Sequence, residues 1–281
     1  MNTDKTPLFL RLPVEIRLII YGFLLDDGGR RELDIRHKTI NHCCNQHDRN
    51  CVLETYRRTS YFAQQTTGLA FRCNYYKTTY ALASGEPMST AFMAANRQIH
   101  TESTYLLYGR HTFNFDGDFE AVTSFFGDLT PRSRSLVQEV CMRKRSPLRL
   151  AHNECVDWLR ACSYLAQLPN LCRVRIIIEG GQPPSYALGD LQLRRLEVSD
   201  LRLLKDIQQR SVTWLESLKT FTKLEALEIC SEMKHMTRPE SSDALQYAMF
   251  SLSIETTLAD FLRDDYQLPV VVSRGGQPAS Q

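Results

Sequence analysis

Between Leu12 and Leu25 the chain reads Leu-Pro-Val-Glu-Ile-Arg-Leu-Ile-Ile-Tyr-Gly-Phe-Leu-Leu, a run so apolar that any fold must find cover for most of it. Pro13 suits the first turn of a helix, where a missing N–H costs nothing, and Asp26, Asp27, Gly28 and Gly29 stop that helix. At about 100° per residue, Leu12, Ile16, Ile19, Ile20, Phe23 and Leu24 line one broad apolar face. Val14, Leu18, Tyr21 and Leu25 line a second on nearly the opposite side. A surface helix needs only one such stripe, so this helix is either sandwiched within its own domain or lends its spare side to a partner. The expectation is that the larger face turns to the core and that Val14, Leu18, Tyr21 and Leu25 turn to the partner. Gly22 costs about 1 kcal/mol in a helix interior and is expected to mark a close backbone approach.

The 281 residues are enough for one large or two modest domains, and two are expected. With 43% apolar and 23% charged residues and a formal net charge of +2, the chain gives no general reason to expect a nucleic-acid or membrane partner. Met1 to Lys5 is polar and Glu15 and Arg17 interrupt the helix, so neither a signal peptide nor a spanning segment is expected. A cytoplasmic or nuclear protein follows. In that setting the nine cysteines are reduced thiols, and no C-x-x-C pair occurs.

After the first helix, Arg31 to Lys38 alternates Leu33 and Ile35 with Glu32, Asp34 and Arg36, the pattern of a half-exposed strand. Tyr56 to Tyr80, rich in Thr, Tyr and Phe, has room for another strand or two around an interruption at Gln64 to Gly68. Zinc takes four Cys or His ligands, and Cys43, His47 and Cys51, four apart, share one helical face. A second ligand cluster is missing, so these three are weak candidates, and free thiols in a polar loop are the plainer reading. Ser89 to Gly109 is again helical, and His111, Phe113 and Phe115 alternate into a strand before the Asp116-Gly117 turn. Arg97, His100 and Glu102 do not make a catalytic set, since Arg97 and Glu102 are five apart and lie on different helical faces. Arg97 is expected to be structural, capping the C-terminal end of the first helix.

Two stretches carry a family resemblance. Leu12-Pro13-x-Glu15-Ile16-Arg17 with Ile20-Tyr21 resembles the opening helix of a group of fungal F-box-like proteins. Asn96-Arg97-Gln98-Ile99-x-x-Glu102, then Leu106-Leu107-Tyr108-Gly109 and Thr112-Phe113-x-Phe115, resembles that group's second signature. The resemblance implies an N-terminal F-box-like helical module over 1–118, carrying an insertion at 26–86. It also implies a partner: the small adaptor subunit of a cullin-type ubiquitin ligase, met through Leu12, Pro13, Val14, Glu15, Leu18, Tyr21 and Leu25, while the rest of the chain holds an unknown target protein.

Beyond Phe119 the chain repeats a helix-then-strand plan: 119–129 with 136–142, 155–168 with 171–178, and 201–221 with 224–230. Trp158-Leu159 and Trp214-Leu215 open comparable helical stretches, and Leu168-x-x-Leu171-x-x-Val174-x-Ile176 matches Phe221-x-x-Leu224-x-x-Leu227-x-Ile229. The spacing resembles degenerate leucine-rich repeats. Repeated helix-then-strand order favours parallel strands with helices on one side. The whole is therefore expected to be mixed α/β, with a repeat-like domain over 119–268, closed by a mostly helical 244–261, and a disordered tail over 269–281.

Arg143, Lys144 and Arg145 sit in a basic run from Arg132 to Arg149, which makes an anion or nucleic-acid contact the alternative function. Near-zero net charge and the lack of interleaved aromatics weigh against it. A Cys- or zinc-dependent enzyme is a second alternative. No Gly-rich phosphate loop, H-E-x-x-H helix or G-x-S-x-G elbow is present, so a non-catalytic interaction protein without cofactor is the expectation.

Overall fold

The computed structural model describes residues 7–25, 32–42, 63–65, 75–82, 89–145, 152–184, 193–209 and 211–273. A 3₁₀ turn (Leu8–Arg11) leads into α1 (Val14–Leu25), followed by β1 (Glu32–His42), β2 (Ala63–Gln65) and β3 (Tyr75–Leu82). A second 3₁₀ turn (Ala91–Ala94) precedes α2 (Arg97–Arg110), which Asn96 starts by accepting the Gln98 N–H at 2.7 Å. Then come β4 (Thr112–Asn114), α3 (Phe119–Asp128), α4 (Pro131–Arg134), β5 (Glu139–Lys144), α5 (His152–Leu165) and β6 (Arg173–Gln182). The remainder is α6 (Val198–Asp206), a 3₁₀ stretch (Thr213–Thr220), β7 (Ala226–His235), α7 (Ser242–Leu252), a π turn (Ile254–Leu258), α8 (Ala259–Tyr266) and β8 (Val270–Ser273).

The strands form one sheet in the order β2-β3-β1-β4-β5-β6-β7-β8. β1, β4, β5, β6, β7 and β8 run parallel, while β3 pairs antiparallel with β1 and β2. The expected boundary at 118/119 therefore falls inside a continuous sheet, since Phe113 of β4 is in register with Val140 of β5. One apolar cluster likewise runs from Tyr21 to Val270, so the two expected domains share a core. The segment expected as a disordered tail from Pro269 supplies β8, whose Val270 pairs with Leu227.

Strand alternation sorts the two faces of the sheet. Leu33 and Ile35, Phe113, Val140 and Met142, Val174, Ile176 and Ile178, and Leu227 and Ile229 are buried on one face, each burial stabilising by roughly 1.5–3 kcal/mol. Phe125 and Phe126 of α3 pack there against Phe113, with ring centroids 5.1 and 6.1 Å apart. Trp158 of α5 meets Trp214 edge-on at 5.4 Å, and its Nε1–H donates to the Trp214 carbonyl and to Ser217 Oγ at 2.7 Å. At the end of β6 a Cβ on Gly181 would fall 2.6 Å from the Tyr247 ring, so glycine is what lets α7 lie against the strand. Tyr247 donates its hydroxyl to the Glu179 carbonyl there, and Gly181 N–H donates to Ser251 Oγ. At the β8 end, Leu227 N–H takes the Pro269 carbonyl, so the next carbonyl, that of Val270, points off the sheet and is taken by the Arg263 guanidinium at 3.1 and 3.2 Å.

Candidate functional site

The first helix is held by one polar network. Arg17, placed by the helical period on the side of Tyr21 and Leu25, sends Nε and Nη2 to the two oxygens of Glu102 on α2 at 2.9 and 2.6 Å. Its Nη1 donates to the carbonyls of Leu10 and Leu12, tying in the turn that precedes α1. Tyr21 donates its hydroxyl to Glu102 at 3.1 Å, and Gln98 adds an N–H at 2.9 Å. The hydrogen bonds from Arg17 hold the Glu102 carboxyl down at about 2. Burial, with the bond to Glu102, pushes the Tyr21 phenol up to about 12. The Tyr21 ring stacks on Phe92 at 5.5 Å and tilts against Phe9 at 5.8 Å.

This arrangement exchanges most of the two stripes read from the sequence, with Ile20 half-buried and Val14 exposed. Tyr21 and Leu25 are buried and Leu18 packs against the core. Leu12, Ile16, Ile19, Phe23 and Leu24 face out, with Phe23 80% exposed, and Leu8 in the preceding turn is equally bare. Pro13, Glu15 and Val14 are exposed at the start of the helix. Arg17 lies on the inward side with Tyr21 and Leu25, where it meets Glu102, 85 positions away. Arg97 stands exposed at the first turn of α2 and, among the described residues, bonds to no carbonyl of α1. Gly22 marks no close approach, because a Cβ there would meet nothing within 4 Å.

The other face of the sheet is polar. Arg175 sits at its centre, 2.6 Å from Glu228, 3.3 Å from Glu32 and 3.7 Å from Glu139, so β6 is tied to β7, β1 and β5 by one side chain. Asn114 donates to Glu32 and Asp34 at 2.6 and 2.9 Å, and Arg36 pairs with Asp34 at 3.1 Å. Burial raises the Glu32 carboxyl above its ordinary range, against the pull of Arg175. Among the described residues no helix side chain bonds to these groups, although runs of parallel strands are ordinarily covered on both faces.

The basic cluster is internally matched. Arg143 pairs with Asp116 and Glu232. Lys144 is only 2% exposed, 3.3 Å from Glu154 and set over the rings of Phe119 and Trp158 at 5.8 and 5.6 Å. Arg145 is the exposed member and lies 3.7 Å from Asp118. Cys43, His47 and Cys51 lie outside the described residues, and among the described residues no group of three or more His, Cys, Asp or Glu is arranged to hold a metal. Burial pushes the Cys141 thiol far up and the Cys162 thiol up to about 12, so both stay protonated and are poor nucleophiles. His100 contacts Thr104 of its own helix, and Glu102 is committed to Arg17.

The fold is a mixed α/β protein built on six parallel strands, with an apolar face of its first helix exposed. Residues 1–185 match the family model described as Domain of unknown function (DUF7730), and the chain belongs to that family. No curated protein and no solved structure matches it. No described helix is long and apolar enough to cross a membrane.

Proposed function

We propose that this chain is a non-catalytic F-box-like interaction protein, with α1 docking on the adaptor subunit of a cullin-type ubiquitin ligase and the later strand–helix units holding a target. The observation that carries the reading is the outward face of α1, where Leu12, Ile16, Ile19, Phe23 and Leu24 lie in water. A contiguous apolar patch of this kind on a helix fixed by its other side is the form of a protein-docking surface. Support from sequence is the pair of F-box-like signatures, whose Arg17, Tyr21 and Glu102 meet in the network behind that face.

For the later units, β4 to β8 lie side by side in sequence order, as degenerate leucine-rich repeats would, and Trp158 and Trp214 of successive units touch. The polar face of that sheet is the proposed seat of the target. Anion binding by Arg143, Lys144 and Arg145 is not favoured, because Arg143 and Lys144 are engaged with Asp116, Glu232 and Glu154.

The test is capture from a fungal lysate with the proteasome blocked. Wild-type protein is expected to recover the cullin adaptor and Phe23→Glu to lose it while staying folded by circular dichroism. Wild-type protein that never recovers the adaptor sinks the ligase role.

A further inference from the structure

The first helix carries apolar stripes on two nearly opposite sides, and the stripe left in water, with Leu12, Ile16, Ile19, Phe23 and Leu24, is the larger. Apolar burial scales with area removed from water, so on that account alone the helix gains at least as much with the larger stripe inward. The observed orientation must be chosen by something else. We propose that the Arg17–Glu102–Tyr21 network is a roll lock: it decides which apolar face of α1 is turned outward, and so which face a partner can meet. That a partner uses this face rests on the function proposed above; that the network selects it does not.

The geometry supports the assignment. Glu102 accepts two N–H groups from Arg17, one from Gln98 and the Tyr21 hydroxyl, and Arg17 Nη1 donates to the Leu10 and Leu12 carbonyls. A roll of about half a turn, the angle that separates the stripes at the helical period, would carry Arg17 and Tyr21 away together. Glu102 would keep only Gln98, because its other donors, Arg17 and Tyr21, both belong to α1. A carboxylate stripped of its partners is far costlier than an apolar side chain left in water, so the rolled state is closed to the native chain. Replacing all three members by apolar residues of similar size leaves no orphan charge and removes the preference. Buried polar groups fix register in this way in helical pairs.

The experiment reads the roll directly. Phe23→Cys and Leu25→Cys are placed separately in the native chain and in the variant Arg17→Met, Tyr21→Phe, Glu102→Leu, and alkylation by iodoacetamide is followed by mass spectrometry. The stretch 12–30 that carries both positions has no native cysteine. With the lock intact, position 23 is expected to react more than about tenfold faster than position 25, as an open site does against one released only by local unfolding. In the lock-free variant, still folded by circular dichroism, the two rates are expected to converge. An unchanged ratio in that folded variant overturns the lock. Should the triple variant not fold, Glu102→Gln decides in its place: a narrowed ratio supports the lock and an unchanged one overturns it. Adaptor capture is scored separately, so that a converged ratio with capture undiminished keeps the lock and removes the docking role.

Discussion

The junction of α1 with α2 and the junction of α5 with the Thr213–Thr220 stretch are both contacts between neighbouring helical elements, and they are built from opposite chemistry. At the first, a guanidinium, a carboxylate and a phenol meet between the apolar α1 and the more polar α2. At the second, Trp158 and Trp214 meet edge to face, Phe119 meets Trp158 edge-on at 5.0 Å, and the indole N–H groups end on carbonyls and Ser217. Ring packing removes a large apolar area from water and so contributes mainly to stability. A matched polar network contributes little net stability, because desolvation offsets most of its attraction, but it punishes every arrangement that breaks it. The molecule holds its sheet-backed half by area and aims its first helix by charge.

The contrast breaks most directly at the aromatic junction. Trp158→Ala is expected to cost about 3–5 kcal/mol, a large share of the stability of a single core, and to lower the melting temperature by many degrees. A loss under about 1 kcal/mol in chemical denaturation would mean that area does not hold this half. Gly181→Val comes next, expected to cost about 1–3 kcal/mol because its side chain would enter the space of the Tyr247 ring. Retained stability would show that α7 can move off β6.

At the polar junction the expected effect is a pH dependence. Glu102 titrates at about 2 in the folded chain and at about 4.3 when unfolded, so its contribution is present above the unfolded value and is lost as pH falls through that interval. Hydrogen exchange of α1 should quicken over that range before the sheet yields. Exchange of α1 and β6 rising together would erase the distinction between the halves. The smallest expected change is a gain: Gly22→Ala meets no atom and should stabilise by about 1 kcal/mol, visible as a modest rise in denaturation midpoint.

Much of the fold was legible because its signals are local. The buried alternation of Val174 and Ile176, and of Leu227 and Ile229, is a period of two that any reader of the sequence meets, and the parallel strands follow from the helix between them. The single sheet was not legible. The pairing of Phe113 with Val140 is made by backbone groups that every residue owns, so nothing in either side chain marks the join across 118. Likewise β8 is four residues long and reads as the start of a polar tail. The roll of α1 failed for a sharper reason. Both stripes are apolar, and the deciding partner, Glu102, sits 85 positions from Arg17. One signal was available: a lone arginine set among apolar positions is seldom buried without an acid to meet it, and the second signature offers one in Glu102.

The strand order β4, β5, β6, β7, β8 is also the order of synthesis. As the chain leaves the ribosome, each helix–strand unit can be laid on the edge made by the one before, with no strand waiting for a distant partner. Every intermediate edge is therefore temporary, sealed by the next stretch of the same polypeptide. The last has no successor among the described strands, and it is there that Arg263 occupies the outward carbonyl of Val270. A growing sheet that ends in its own guanidinium stopper leaves a second nascent chain on the same message one acceptor fewer to join.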